Sequence, residues 1–130
     1  MPERSADWIR QAERDLESAK AQRRDGFFEW SCFIAQQAAE KALKAVIQRL
    51  GGEAWGHSTS GLLAVLTEKV DIPVGLDEGA RFLDMYYIPS RYPNGWASGI
   101  PAEYIREDDA EKAIGCSEEL VRFCRGLLAR

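Results

Sequence analysis

Apolar residues recur every three or four positions along most of the chain, a spacing that predicts amphipathic helices rather than strands. Glycine, proline and aspartate signals separate five such segments. They cover residues 7–24, 28–50, 58–69, 76–88 and 108 to the end of the sequence. Because short connections place consecutive helices side by side, we expect one all-α domain over residues 1–130. Its predicted architecture is an antiparallel, up-and-down bundle of four to five helices.

The second predicted helix, residues 28–50, has a narrow polar face. When successive residues are placed about 100° apart, its polar side chains fall within an arc of roughly 100°. These side chains are Gln37, Glu40, Lys41, Lys44 and Gln48. Alanine and larger aliphatic residues fill most of the remaining surface. Such a helix is buried on more than one side, so it is either the centre of the bundle or also packs across a dimer axis.

The predicted helix starts carry residues that suit caps. Ser5 or Asp7 can cap the first helix, and Ser58 can cap the third. Asp108 and Glu111 are spaced as a capping box for the last helix.

Residues 89–107 form the one long irregular stretch that the pattern predicts. It contains three prolines and the aromatic residues Tyr92, Trp96 and Tyr104. Ordered loops of this length are often functional. Arg91 followed by Tyr92 suits an anionic, planar ligand such as a nucleotide. The alternative is a plain turn in which Arg91 pairs with a nearby carboxylate.

Composition restricts the function further. The net charge of −4 argues against nonspecific binding of nucleic acid by bulk charge. The sequence lacks a membrane-length apolar run and a signal peptide at its start, so we expect a cytoplasmic protein with no membrane role. Cys32, Cys116 and Cys124 have no metal-binding spacing and are predicted to be buried free thiols. A glycine-rich phosphate loop is also missing, and we predict neither a metal nor a cofactor.

Three stretches in this order resemble the HEPN family of small helical proteins linked to nucleotides and RNA. They read AERDL at residues 12–16, QQAAEKALKA at 36–45 with GHS at 56–58, and LDMYYIPSRYP at 83–93. The resemblance implies a helical bundle that forms a homodimer. It also implies a minimal nucleotidyltransferase as partner, in a toxin–antitoxin-like pair. Many members of that family are metal-independent ribonucleases that use an arginine and a histidine four to six residues apart.

This chain departs from that arginine–histidine motif. Residues 92–97 contain no histidine, and the only histidine in the chain is His57. His57 could serve as acid or base only if the fold brings it near Arg91. The alternative is a loop histidine that packs on Trp55 and is hydrogen-bonded to the start of the third helix.

The sequence therefore predicts two sets of site residues. The catalytic candidates are Arg91 and His57, and the nucleotide-binding candidates are Arg91, Tyr92, Lys41, Gln37 and Asp15. Asp15 lies beside the apolar stripe of the first helix, so we expect it to face a partly buried site. Glu40 and Lys44 are interpreted as an ion pair along the second helix, and Tyr87 as a core residue.

Three functions are compatible with these patterns. The leading hypothesis is a homodimeric, HEPN-like module that binds nucleotide or RNA and works with a nucleotidyltransferase. The second is a divergent, metal-independent endoribonuclease that uses Arg91. The third is a structural module whose loop only supports dimerisation.

Overall fold

The computed structural model describes residues 3–130, which form helices joined by loops. The α-helices are α1 Ser5–Arg24, α2 Phe28–Arg49, α3 Thr59–Leu66, α4 Leu76–Asp84, α5 Pro101–Tyr104 and α6 Glu107–Leu128. A 3₁₀ turn, Pro93–Gly95, precedes α5. The described residues contain no strand, and the predicted all-α, antiparallel bundle is confirmed. The helix that the sequence does not predict, α5, is a single turn inside the stretch that the sequence predicts to be irregular.

Helix α2 is the centre of this bundle, which is one of the two arrangements that its narrow polar face predicts. It packs against every other α-helix, most extensively against α1 and α6. Close approach is possible because its inward positions are small and fully buried: Ala35, Ala38, Ala39, Ala42 and Ala45. Two buried hydroxyls join the neighbouring helices to this region, since Ser31 donates to the Ala19 carbonyl and Ser117 to the Ala35 carbonyl, each over 2.7 Å.

The predicted cap of α1 is wrong. The helix begins at Ser5 itself, and neither Ser5 nor Asp7 caps it. Ser5 is fully buried, and its hydroxyl accepts a hydrogen bond from Arg49 Nε over 3.0 Å. Asp7 pairs with the Arg4 guanidinium instead. The side chains of Ser5 and Asp7, which the sequence predicts as caps, therefore bind arginine side chains instead of the backbone at the start of α1.

The capping box of α6 is present, but it is formed by other residues than predicted. The carboxylate of Asp109 accepts the backbone N–H of Arg106 over 2.9 Å, so the box lies earlier than Asp108 and Glu111. Glu111 pairs with Arg23 across the interface with α1, at 3.3 Å. Because the Glu111 carboxylate binds Arg23 on α1, it does not cap the N-terminus of α6.

Helices α3 and α4 are both shorter than predicted, and Asp84 connects the end of α4 to the start of α3. It ends α4, and its carboxylate accepts hydrogen bonds from the Ser58 hydroxyl, the Thr59 N–H and the Ser60 hydroxyl at the start of α3. The chain after Asp84 turns instead of continuing as helix. Ser58 caps α3 as predicted, because its hydroxyl accepts the Gly61 N–H over 3.0 Å.

This early end of α4 changes which tyrosine enters the core. Tyr86 is buried, whereas Tyr87 is only half-buried. The prediction that Tyr87 is a core residue is therefore wrong. It rests on continued helical spacing, which the turn after Asp84 interrupts.

The loop after Arg91 is packed on itself. Trp96 stacks on Tyr104 with ring centroids 4.3 Å apart, and Trp96 Nε1 donates to the Pro89 carbonyl over 2.7 Å. Gly95 lies so close to Pro89 that an added Cβ would come within 3.0 Å of its Cα. Next to Arg91, the buried Ser90 hydroxyl donates to the Tyr86 carbonyl. The backbone that carries Arg91 is therefore fixed.

The three cysteines are all free. Cys32 and Cys124 are buried, as predicted, whereas Cys116 is only half-buried. Within residues 3–130, no helix combines the length and the apolar character that a membrane span requires.

Candidate functional site

Arg91 lies in a group of aromatic rings. Its guanidinium carbon is 4.2 Å from the ring centroid of Phe33, 4.8 Å from that of Tyr87 and 5.0 Å from that of Tyr92. Arg91 Nε donates to the Tyr87 carbonyl over 2.9 Å. These contacts hold the side chain in one place, since each cation–π contact contributes about 0.5–2 kcal/mol.

The positive charge of Arg91 is not neutralised by a carboxylate of residues 3–130. The alternative in which Arg91 pairs with a nearby carboxylate in a plain turn is therefore wrong. The side chain is half-buried, and its terminal nitrogens keep donors for an anion. Because a guanidinium presents two parallel N–H groups, it binds phosphate oxygens in a defined orientation.

His57 is held by three contacts, although its side chain is 55% exposed. Its ring stacks on Tyr87, with centroids 4.7 Å apart and planes 15° from parallel. Nδ1 lies 3.2 Å and 3.3 Å from the two carboxylate oxygens of Glu40. The His57 carbonyl accepts a hydrogen bond from Gln36 Nε2 over 2.8 Å.

The alternative interpretation of His57, a residue packed on Trp55, is wrong. Trp55 is 80% exposed, and its indole N–H donates to Glu53 over 3.2 Å. The Tyr87 ring takes the place that the sequence assigns to Trp55. His57 and Arg91 therefore contact the same aromatic ring, although 34 positions separate them in the sequence.

Helix α2 contributes a buried polar cluster beneath His57. Glu40 is 5% exposed, and its Oε2 accepts a hydrogen bond from Lys44 Nζ over 3.1 Å. The predicted Glu40–Lys44 pair is thus present, but Glu40 also binds His57. Gln36 is fully buried and donates to Glu40 over 3.3 Å. Gln37 donates in turn to Gln36 Oε1 over 2.7 Å.

The remaining predicted residues lie in two places. Tyr92 is 48% exposed and stands beside Arg91, so it belongs to the aromatic group. Asp15 and Lys41 form an ion pair of 2.5 Å, with side chains that are 13% and 27% exposed. Asp15 is thus partly buried, as predicted. The structure ties Lys41 to α1 and not to Arg91 or His57.

Phe33 and Gln36 are site residues that the sequence analysis does not single out, and Tyr87 is a site residue that it assigns to the core. Phe33 and Gln37 are one helical turn apart, so Phe33 lies in line with the polar strip of α2. A large aromatic residue in line with an otherwise polar strip is the signal that points to Phe33. Gln36 and Tyr87 carry no such signal, because their roles depend on the loop before α3.

Within residues 3–130, no group of three or more His, Cys, Asp or Glu side chains is arranged to hold a metal ion.

Comparison with known proteins assigns this chain to a family. A family model described as the HEPN domain matches residues 5–127. The chain belongs to the HEPN family. The family resemblance of the three sequence stretches is thereby confirmed.

Three solved structures are similar to this chain in fold and sequence. TT1696 from Thermus thermophilus is 41% identical and has a TM-score of 0.93, with 97% of this chain and 99% of that chain covered. ST0689, an archaeal HEPN homologue, is 43% identical with a TM-score of 0.81, and 97% and 98% of the two chains are covered. A HEPN domain protein from Thermotoga maritima, TM0613, is 37% identical with a TM-score of 0.79, and 95% and 98% are covered.

A more distant relative comes from Methanocaldococcus jannaschii and is named "Putative toxin MJ1304". It is 26% identical over 130 residues, which cover 93% of this chain and 86% of the relative.

Proposed function

We propose that this HEPN chain binds a nucleotide or an RNA strand, as one component of a toxin–antitoxin-like pair. The observation that carries the proposal is the Arg91 guanidinium, held against the rings of Phe33, Tyr87 and Tyr92 without a carboxylate partner among residues 3–130. In this site the guanidinium binds phosphate. The exposed Tyr92 ring offers a stacking surface for a base, an interaction that contributes about 1–3 kcal/mol per base.

The net charge of −4 makes this recognition local. A ligand meets one fixed cation at Arg91 rather than a long basic surface, so we expect a weak dependence of affinity on salt. Gln37 belongs to the same proposed site, because it donates to Gln36, which binds the His57 carbonyl. The Asp15–Lys41 pair is a separate contact between α1 and α2. The groups around Arg91 suit a short segment, such as a single nucleotide or an RNA end.

Binding is tested by calorimetric titration of AMP and of a short single-stranded oligouridine. We expect Arg91→Ala to weaken binding about tenfold or more, because it removes the phosphate donor. Arg91→Lys should restore only part of the affinity, since an ammonium lacks the planar pair of donors. Arg81→Ala is the matched control. It removes the same charge from an exposed arginine whose partner is Asp77 on the same helix.

Equal affinities of the wild-type protein, Arg91→Ala and Arg81→Ala would refute a site at Arg91. A wild-type protein that binds neither ligand would leave the structural interaction module as the remaining interpretation.

The proposed assembly is a homodimer that pairs with a minimal nucleotidyltransferase. The family resemblance and the name of the M. jannaschii relative support the toxin-like pairing. Large apolar side chains at the start of α2, Phe27 at 53% and Trp30 at 42% exposure, offer surface for protein contacts. Sedimentation of the purified protein tests the dimer, and co-purification with a co-expressed nucleotidyltransferase tests the partner.

A second candidate function, metal-independent RNA cleavage, is favoured by the shared contact of Arg91 and His57 with Tyr87. In this reaction the ribose 2′-oxygen bonds to phosphorus, and the bond from phosphorus to the 5′-oxygen breaks. His57 takes the proton of the 2′-hydroxyl, and water supplies a proton to the leaving 5′-oxygen. Arg91 stabilises the negative charge that develops on the phosphorane. The products are a 2′,3′-cyclic phosphate and a 5′-hydroxyl.

Cleavage is tested with labelled RNA in the presence of a chelator. We expect activity that His57→Ala and Arg91→Ala each reduce about 100-fold or more, while Arg81→Ala retains it. Intact RNA in the wild-type reaction would exclude the enzyme and leave the binding function. Cleavage that the chelator abolishes would contradict a metal-independent mechanism.

A further inference from the structure

The orientation of the His57 ring is fixed by two residues of α2 and by Tyr87. Glu40 contacts Nδ1, Gln36 binds the His57 carbonyl, and Tyr87 lies against the ring face. Nε2 has no hydrogen-bond partner among residues 3–130. The ring is thus fixed through one nitrogen, while the other remains available to a ligand.

The contact with Glu40 decides where a neutral imidazole carries its proton. A carboxylate only accepts hydrogen bonds, so Nδ1 must be the donor, and Nε2 then carries the lone pair. The second carboxylate oxygen of Glu40 lies 3.1 Å from Lys44 Nζ, so this buried carboxylate has Lys44 as a partner besides His57. Glu40 and Tyr87 contact the His57 ring directly, Lys44 pairs with Glu40, and Arg91 contacts the Tyr87 ring.

We propose that Glu40 is a positioning residue, which presents His57 Nε2 as an acceptor for a ribose 2′-hydroxyl while Arg91 holds the adjacent phosphate. The proposal rests on the function proposed above and names its ligand class, ribonucleotides in preference to deoxyribonucleotides. A phosphate dianion has no proton to donate to Nε2, whereas a hydroxyl has one. A deoxyribose lacks that hydroxyl and leaves the acceptor without a partner. If RNA is cleaved, His57 Nε2 receives the proton of the attacking 2′-hydroxyl.

The tautomer of His57 is read directly by nitrogen-15 NMR of the imidazole, because the chain contains a single histidine. The measurement is made at about pH 8, above the ordinary histidine pKa of about 6.5. We expect the wild-type protein to carry the proton on Nδ1. Glu40→Met removes the acceptor at nearly constant volume and should move the proton to Nε2.

Two variants serve as controls. Glu40→Gln keeps an amide oxygen that accepts the Nδ1 proton, and we expect it to retain the wild-type tautomer. Lys44→Met removes the lysine partner of Glu40 but leaves the contact with His57, so it should also retain that tautomer.

Ligand discrimination is then measured with adenosine 3′-monophosphate and 2′-deoxyadenosine 3′-monophosphate, which have no phosphodiester bond to cleave. We expect the wild-type protein to bind the ribonucleotide about three- to tenfold more tightly, as one added hydrogen bond implies. Glu40→Met should lose this ratio, and Glu40→Gln and Lys44→Met should keep it.

The outcomes separate this proposal from the proposed function. Equal affinity of the wild-type protein for both nucleotides, or a wild-type proton on Nε2, would overturn the role of Glu40 and leave nucleotide binding intact. Failure of the wild-type protein to bind either nucleotide would overturn nucleotide binding and this proposal together.

Discussion

One aromatic side chain, Tyr87, connects the two functional candidates. His57 stacks on its ring at 4.7 Å, and the Arg91 guanidinium lies 4.8 Å from the same ring centroid. Its backbone carbonyl also accepts the Arg91 Nε–H. The ring provides a shared surface that sets the relative positions of a potential base and a cation.

This arrangement gives a test at the level of the Tyr87 side chain. Tyr87→Phe keeps the ring, and we expect nucleotide affinity to change less than about twofold, because both contacts use the ring face. Tyr87→Leu removes the ring and should lower affinity about tenfold, since Arg91 and His57 lose a common support. Titration calorimetry on the two variants measures the difference.

The phenylalanine variant is the control for the leucine variant. If both lose affinity equally, the phenolic hydroxyl and not the ring would be the important group. If neither loses affinity, Tyr87 would not organise the site.

The fixed position of Arg91 also has an energetic advantage. A flexible arginine loses side-chain entropy when it binds phosphate, whereas this one is already held by the Phe33 ring and a backbone carbonyl. Less entropy is then lost on binding, which favours affinity from a single cation.

Among the elements, α3 and α4 are joined by a carboxylate cap. Asp84 at the end of α4 accepts hydrogen bonds from the Thr59 N–H at 2.6 Å and the Ser58 hydroxyl at 2.8 Å. Burial alone would raise the pKa of Asp84, but the hydrogen bonds from Ser60, Thr59 and Ser58 outweigh it and lower the pKa below 3.8. The cap also holds the loop that carries His57.

We expect Asp84→Asn to lower the free energy of unfolding by about 1–2 kcal/mol near pH 7, because a charged helix cap is lost. The folded pKa lies below the unfolded value, so this contribution is complete above about 3.8 and disappears as pH falls through the folded pKa. Urea unfolding over a series from about pH 7 to about pH 3 should show the variant and the wild type converging.

Asp77→Asn is the matched control for this series, since Asp77 pairs with the exposed Arg81 on its own helix. We expect it to change stability by less than about 0.5 kcal/mol. A difference between Asp84→Asn and the wild type that stays constant with pH would show that the charge of Asp84 does not stabilise the cap.

Helix α2 has two roles as an element. Its fully buried alanines bring neighbouring helices close, and its polar strip carries Glu40 and Lys44 into the site. A substitution that enlarges one of these alanines would therefore disturb the core and the site together.

At the level of the whole molecule, the reactivity of the three cysteines measures local and global unfolding of the bundle. Burial raises the pKa of the Cys32 thiol to about 12, with further contributions from Asp109 and Glu29, and burial raises the pKa of Cys124 to about 12. Burial also raises the pKa of the half-buried Cys116, although Lys112 lowers it in part. The reactive thiolate is therefore scarce at all three positions.

We expect iodoacetamide at about pH 8 to alkylate Cys116 first and slowly, and to leave Cys32 and Cys124 unmodified until the bundle unfolds. Mass spectrometry of peptides over time measures the order, and urea-unfolded protein is the control in which all three should react alike. Rapid alkylation of Cys124 in the native protein would mean that α6 opens without global unfolding.

The sequence by itself determined the five longer helices, because the apolar spacing of a helix is a local property; the single turn α5 was not predicted. The sequence also limited α2 to the centre of the bundle or to a dimer interface, since a narrow polar face leaves little of the helix surface for solvent. The tertiary structure decided for the centre. Arg91 was identifiable because it follows a predicted helix and precedes proline and glycine signals. These inferences need only neighbouring residues.

Tertiary structure alone decided the rest. Asp84 caps a helix 25 residues earlier in the chain, His57 meets Glu40 across 17 residues, and Ser5 meets Arg49 across 44. Local periodicity cannot contain such contacts, because they depend on how the loops before α3 and after α4 pack against α2. The same packing turned Tyr87 from a predicted core residue into the surface that His57 and Arg91 share.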